Sequence, residues 1–149
     1  MKSEQFDKVI VGYSKQFKNN RFTFDNKDDL CELIKRKDVP HLPGVYIIYR
    51  SKNKHREVVY IGKSGRMKQK GKFKGQMLDE RLSNKQQGRS HLKFCSPKNS
   101  ENKSKLDVQW FVTWEEKAKT SILPGRAEAS LMQAFYDDTG KLPRWNKSF

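Results

Sequence analysis

The stretch PGVYIIYRSKNKHREVVYIGKS, residues 43–64, decides how this chain folds. Its ends, PGVYIIY (43–49) and VVYIGKS (58–64), are dominated by apolar, β-branched and aromatic residues, which favours strands. The middle, RSKNKHRE, is polar and mostly basic. Two apolar runs joined in this way predict a β-hairpin. Setting Tyr46 opposite Tyr60 centres the connection on Asn53 and puts Val45 against Ile61 and Ile47 against Val59. Paired residues share a face, so both phenols leave the sheet on the same side. Strand tyrosines usually pack their rings, and Tyr49 is read that way. Two phenols side by side on buried strands invite a use for their hydroxyls.

Working outward, DDLCELIKRK (28–37) carries Leu30, Leu33 and Ile34 at helical spacing, with Asp25 or Asn26 as the cap. Val39-Pro40 and Leu42-Pro43 end it. Residues 1–24 hold the aromatics Phe6, Tyr13, Phe17, Phe22 and Phe24, which suit a helix on the core and then an extended piece. After the hairpin comes a Gly/Lys-rich flexible loop, 65–75, and then a helix over GQMLDERLSNKQQ (75–87) with Met77, Leu78 and Leu82 on its apolar side. SPKNSENKSK (96–105) reads as an exposed linker. LDVQWFVTWE (106–115) predicts a third strand. Its Trp110, Phe111 and Trp114 are read as core rather than as a platform for stacked bases. A last helix runs from Pro124 or Arg126 to Asp138, stopped by Gly140. The order predicts the α+β class, a small three-stranded antiparallel sheet flanked by helices.

The 149 residues suit one domain. Apolar residues make up 34% and charged residues 33%, which implies a small core under a wide solvated surface. No apolar run reaches the ~18 residues of a membrane span. The segment MKSEQFDKVIVGYSKQF lacks the apolar centre of a signal peptide. The expected location is cytoplasmic, where Cys31 and Cys95, which form no CxxC pair, are reduced thiols. His41, His55 and His91 show no zinc spacing with them.

Net charge is +15, and residues 50–105 hold 17 Lys/Arg against 4 Asp/Glu. Charge so concentrated points to a polyanionic partner. A membrane surface fits less well, because the basic stretch has no sustained amphipathic helix with a bulky apolar face. The Lys-x-Lys spacing of RMKQKGKFKG presents Arg66, Lys68, Lys70, Lys72 and Lys74, with Lys85 and Arg89 beyond. Such residues contact phosphates without reading bases.

Two further residues carry candidate chemistry. Glu128 shares one helix face with Leu131, Met132 and Phe135. A carboxylate on an apolar stripe is costly unless neutralised, by a divalent cation, an arginine or the helix dipole. Arg81 lies between Leu78 and Leu82, and its guanidinium fork fits two phosphate oxygens. Asp79 and Glu80 are alternative partners for it, and Arg66 is the alternative arginine.

Gly44-Val45-Tyr46 and Tyr60-Ile61-Gly62 are followed in order by a helical Arg81, a helical Glu128 after the third strand, and Asn146 in PRWNKS. Over residues 42–146 this order resembles the GIY-YIG nuclease family, and the spacing between the two halves fits it. The resemblance implies a nuclease domain over 41–149, with residues 1–40 an extension packing on it. It implies metal-dependent hydrolysis of DNA phosphodiesters. Glu128 would hold Mg²⁺ or Mn²⁺, and Arg81 would grip the phosphate. Tyr46 would orient or deprotonate the attacking water, with Tyr60 and Lys63 shaping its hydrogen bonds and Asn146 completing the site. Where members often carry a histidine or another polar group, one turn after that arginine, this chain has Lys85. The compact chain suits a restriction-like or mobile-element enzyme, with RNA as the other possible substrate. Symmetric double-strand cleavage would need a homodimer. The competing reading is a non-catalytic, basic nucleic-acid-binding protein.

Overall fold

A computed structural model describes residues 4–25, 28–52, 54–83, 85–86, 89–90, 105–118 and 121–149. Four helices are present in these residues: α1 (Glu4–Gln16), α2 (Leu30–Arg36), α3 (Leu78–Ser83) and α4 (Pro124–Thr139). Strands β1 (Lys18–Phe24), β2 (Gly44–Lys52), β3 (His55–Ser64) and β8 (Leu106–Val112) form one sheet in the order β1-β8-β2-β3, antiparallel throughout. Two small ribbons pair β4 (Arg66–Met67) with β5 (Phe73–Lys74) and β6 (Lys85–Gln86) with β7 (Arg89–Ser90). The class is α+β, but the main sheet has four strands, not three. The added strand, β1, reads KNNRFTF, and its polar first half hides the strand signal. Only Phe22 and Phe24 are buried along it.

The hairpin forms with a different register from the one expected. Tyr46 pairs with Gly62 and Ile48 with Tyr60, and the register slips between Ile48 and Tyr49. Val45 therefore faces Lys63, and Ile47 faces Ile61. From Gly44 to Ile48 the offset is two residues, which leaves side chains on their original faces; past the slip it is one, and Val58 and Val59 exchange faces. The phenols of Tyr46 and Tyr60 accordingly still project together, with ring centroids 6.0 Å apart and planes inclined by 27°. Gly62 wins the place opposite Tyr46 because the Tyr46 ring lies across it, as the site geometry below makes explicit.

Both faces of the sheet are covered, which is why β2 reads as a continuous apolar run. On one face Tyr46, Ile48, Val59, Val108 and Trp110 pack with α2 and α3. On the other, Val45, Ile47, Ile61 and Phe111 pack with α1 and α4. Trp110 and Phe111 are both core, one on each face. Tyr49 is structural as well. Its hydroxyl donates to Gln109 Oε1 at 3.0 Å, Arg56 lies 3.8 Å from its ring centroid, and burial pushes its pKa up to about 12.

Three local expectations are corrected. The cap of α2 is Asp29, whose carboxylate accepts from the N–H groups of Cys31 (3.0 Å) and Glu32 (3.4 Å), not Asp25 or Asn26. The helix over 75–87 shortens to α3, and residues 85–86 are strand. Lys85 therefore lies on β6, not one helical turn beyond Arg81. The flexible loop 65–75 is instead the β4–β5 ribbon. Only the backbone of Lys85 and Arg89 is described. Asn53, His91, Cys95 and the linker up to residue 104 lie outside the described residues, and Cys31 is a free thiol. No helix among the described residues is long and apolar enough to cross a membrane.

Gly12 stands in the middle of α1 with nothing within 4 Å of an added Cβ. Gly12→Ala should therefore stabilise the fold by about 0.5–1 kcal/mol in denaturant titration, by removing backbone entropy from the unfolded chain.

Candidate active site

The two motif glycines are packing requirements. A Cβ on Gly62 would overlap Cζ and the hydroxyl oxygen of Tyr46 and lie 2.9 Å from Tyr60 Cε1. A Cβ on Gly44 would strike the Phe111 carbonyl and lie 2.9 Å from Leu78 Cδ1. Gly62 thus admits the buried Tyr46 phenol, and Gly44 admits the close approach of β8 and α3. Tyr46 is fully buried and Tyr60 half-buried.

Arg81 is aimed at these phenols by α3. The Leu78 N–H donates to the Leu42 carbonyl at 3.0 Å, and Leu78 and Leu82 are completely buried. The guanidinium donates to the hydroxyls of both Tyr46 and Tyr60. Burial alone would lower the Arg81 pKa, but its interactions with the two phenols outweigh that and raise it. Its Nε is buried and has no hydrogen-bond partner among the described residues. Asp79 and Glu80, the alternative partners, are engaged elsewhere. His41 Nδ1 lies 2.9 Å from Asp79 and 3.5 Å from Glu80. Arg66, the alternative arginine, is exposed on β4.

Glu128 comes from the opposite face of the sheet. It is half-buried on α4, anchored by the buried Leu131 and Met132. The groups meet around β3, the edge strand. Lys63 Nζ lies 3.6 Å from where a Cβ on Gly125 would sit, against the first turn of α4. Burial raises the Glu128 pKa above the ordinary carboxylate range, while the charges of Lys63 and then Arg81 pull it back. Glu128 forms no direct ion pair among the described residues. Tyr46, Tyr60, Arg81, Lys63 and Glu128 thus form one electrostatic unit around the end of β3.

Asn146 reaches the same strand by another route. Its Nδ2 donates to the Ile61 carbonyl and its Oδ1 accepts from the Ile61 N–H, both at 3.0 Å. The Trp145 N–H donates to the Val59 carbonyl at 2.8 Å. Glu57 joins Arg144 and Arg50, each at 3.2 Å. The tail therefore zips onto the open edge of β3, satisfying backbone groups an edge strand leaves unpaired. Asn146 bears on the site by fixing Tyr60-Ile61-Gly62. Asn146→Ala should cost about 1–2 kcal/mol in chemical denaturation, since it strands two backbone partners.

A small hard cation fits this donor set. Mg²⁺ is commonly held by one or two carboxylates, with substrate phosphate and water completing its shell. Glu128 supplies such a carboxylate, and the surrounding cations suit a phosphate. The remaining basic candidates, Arg66, Lys68, Lys70, Lys72 and Lys74, are all exposed on the β4–β5 ribbon, which leaves the sheet just beyond Lys63. His41 with Asp79 and Glu80, 38 and 39 residues apart in sequence, is a cluster that spacing does not reveal. Its three ligand atoms lie within 4.8 Å of one another. Comparison with known proteins finds no matching family model, no similar curated protein and no similar solved structure.

Proposed function

We propose that this chain is a metal-dependent endonuclease of the GIY-YIG type that hydrolyses phosphodiester bonds in DNA. The observation that carries the reading is the convergence of Arg81, hydrogen-bonded to two stacked phenols, with a half-buried glutamate from the other side of the sheet. The surplus of positive charge over residues 50–105 supports a polyanionic substrate.

In this reading Arg81 binds the scissile phosphate through its guanidinium. Tyr46 orients the attacking water and, ionised to the phenolate with its own proton lost to solvent, takes up the water's proton, and Arg81 holds that phenol in place. Tyr60 and Lys63 fix the hydrogen bonding around the water. Glu128 is the ligand for Mg²⁺ or Mn²⁺, which when bound offsets negative charge on the phosphate and on the departing 3′ oxygen. Asn146 keeps β3 in register beneath these groups. One such site cuts one strand, so double-strand cleavage calls for two copies of the chain.

The test is digestion of supercoiled plasmid with Mg²⁺ or Mn²⁺, with EDTA as control and fragment ends sequenced. Metal-dependent nicking is the expected result, and discrete ends would mark a restriction-like or mobile-element enzyme. Tight binding without cutting across metals would favour the non-catalytic nucleic-acid-binding reading. The burial of Trp110 and Phe111 weakens that alternative by removing two of its three stacking residues.

A further inference from the structure

We infer that the β4–β5 ribbon is a reading head for duplex DNA, entering the major groove with Gln69 at base edges and Lys68, Lys70 and Lys72 on flanking phosphates. This deepens the nuclease reading, on which it rests, by naming B-form duplex as the substrate class.

The ribbon has two unlike sides. Arg66 pairs with Lys74 and Met67 with Phe73, so basic and apolar side chains fall on opposite sides. The apolar side docks at the sheet end where β2 begins. Phe73 packs on Trp114 with ring centroids 5.5 Å apart. Gly65, at φ +87°, brings the chain so close that a Cβ would lie 2.9 Å from Pro43 and 3.3 Å from Phe73.

The tip is a closed turn. The Gly71 N–H donates to the Lys68 carbonyl at 2.9 Å, and the Lys68 N–H donates to the Lys72 carbonyl at 2.7 Å. Gly71 completes it at φ +84°. Gln69 and Lys70 occupy the two apical positions, and residues 66–72 are all exposed. No acidic residue lies between Glu57 and Asp79, and the ribbon's cations form no ion pair among the described residues.

The dimensions choose the partner. A two-stranded ribbon fits the B-DNA major groove, roughly 12 Å wide and 8.5 Å deep. From Arg66 to the tip the chain advances three or four residues, about 10–13 Å at ~3.3 Å per residue. The major groove of A-form RNA is too narrow to admit it. Gln69 is the one neutral side chain with paired donor and acceptor at the tip, the chemistry that reads adenine N6 and N7. Lysines alone would bind without preference.

The experiment measures binding of the full chain in EDTA by fluorescence anisotropy. Its probes are a labelled DNA duplex of about 20 bp, the RNA duplex of that length and the single strand. Duplex DNA should bind at least about 10-fold tighter than duplex RNA. The triple variant K68A/K70A/K72A should lose about 10- to 100-fold and lower the salt-dependence slope by about 3. Q69A should hold affinity for mixed-sequence duplex within about twofold, while base preference selected from a randomised duplex pool flattens at one or two positions. Equal or tighter RNA binding, an unmoved triple variant, or an unchanged preference in Q69A each overturns the inference. An inert chain that still binds duplex through these lysines overturns the nuclease reading and keeps this one. Full-rate cutting by a triple variant of undiminished affinity does the reverse.

Discussion

Glu128→Gln should abolish cutting, by about 10²–10³-fold or more, while DNA binding should change little and the melting temperature should stay level or rise. The amide keeps the volume of the side chain and its packing beside Leu131 and Met132. It removes the negative charge that a divalent ion requires. The stability effect follows from the direction of the Glu128 shift. Burial raises its folded-state pKa above the unfolded value, so the folded protein holds this proton more tightly. The stability linked to that proton is fully present below the unfolded pKa and is lost as pH rises through the folded one. At neutral pH the ionised carboxylate is thus a burden that glutamine removes. The gain over the wild type should shrink as pH falls below the ordinary glutamate value near 4.3. In the proposed mechanism activity needs the ionised form, so the acid limb of the pH–rate profile should lie above that ordinary value. Plasmid nicking, anisotropy and melting curves from pH 4 to 8 check all three. A variant that nicks at the wild-type rate removes Glu128 from the chemistry.

Gly62→Ala should destabilise by about 1–3 kcal/mol or more, and take cutting with it. The added methyl overlaps the Cζ–hydroxyl end of Tyr46 and presses on Tyr60. Tyr46 is enclosed on every side and cannot swing clear, so either the strands separate or the ring leaves its rotamer. Either response breaks the hydrogen bonds that hold Arg81. The pair Tyr46→Ala and Gly62→Ala should recover part of the loss, with a coupling of roughly 0.5–3 kcal/mol in a double-mutant cycle. Additive losses in that cycle would show that the two residues do not contend for one space.

How far the sequence disclosed this depends on the range over which each signal acts. The strands β2, β3 and β8, the helix α4 and the apolar stripe under Glu128 follow from patterns within a dozen residues, and the structure has them. The hairpin register did not follow, because alternation with a period of two is unchanged by a slip of two residues. What selects the register is the space above Gly62, a property of the folded sheet. β1 was hidden because its partner, β8, lies more than 80 residues away and supplies most of what defines it. The grip of Asn146 on Ile61 spans 85 residues and leaves no local mark.

The sheet divides the machinery as well as the core. The phenols and Arg81 belong to the layer under α2 and α3, and the carboxylate belongs to the layer under α1 and α4. The proposed chemistry is therefore a conjunction, available only while both layers are seated on one shared strand. Substitutions within the α1–α4 layer reach the carboxylate first and those on the other side reach the phenols first, while the charges of Lys63 and Arg81 carry the coupling between the two halves.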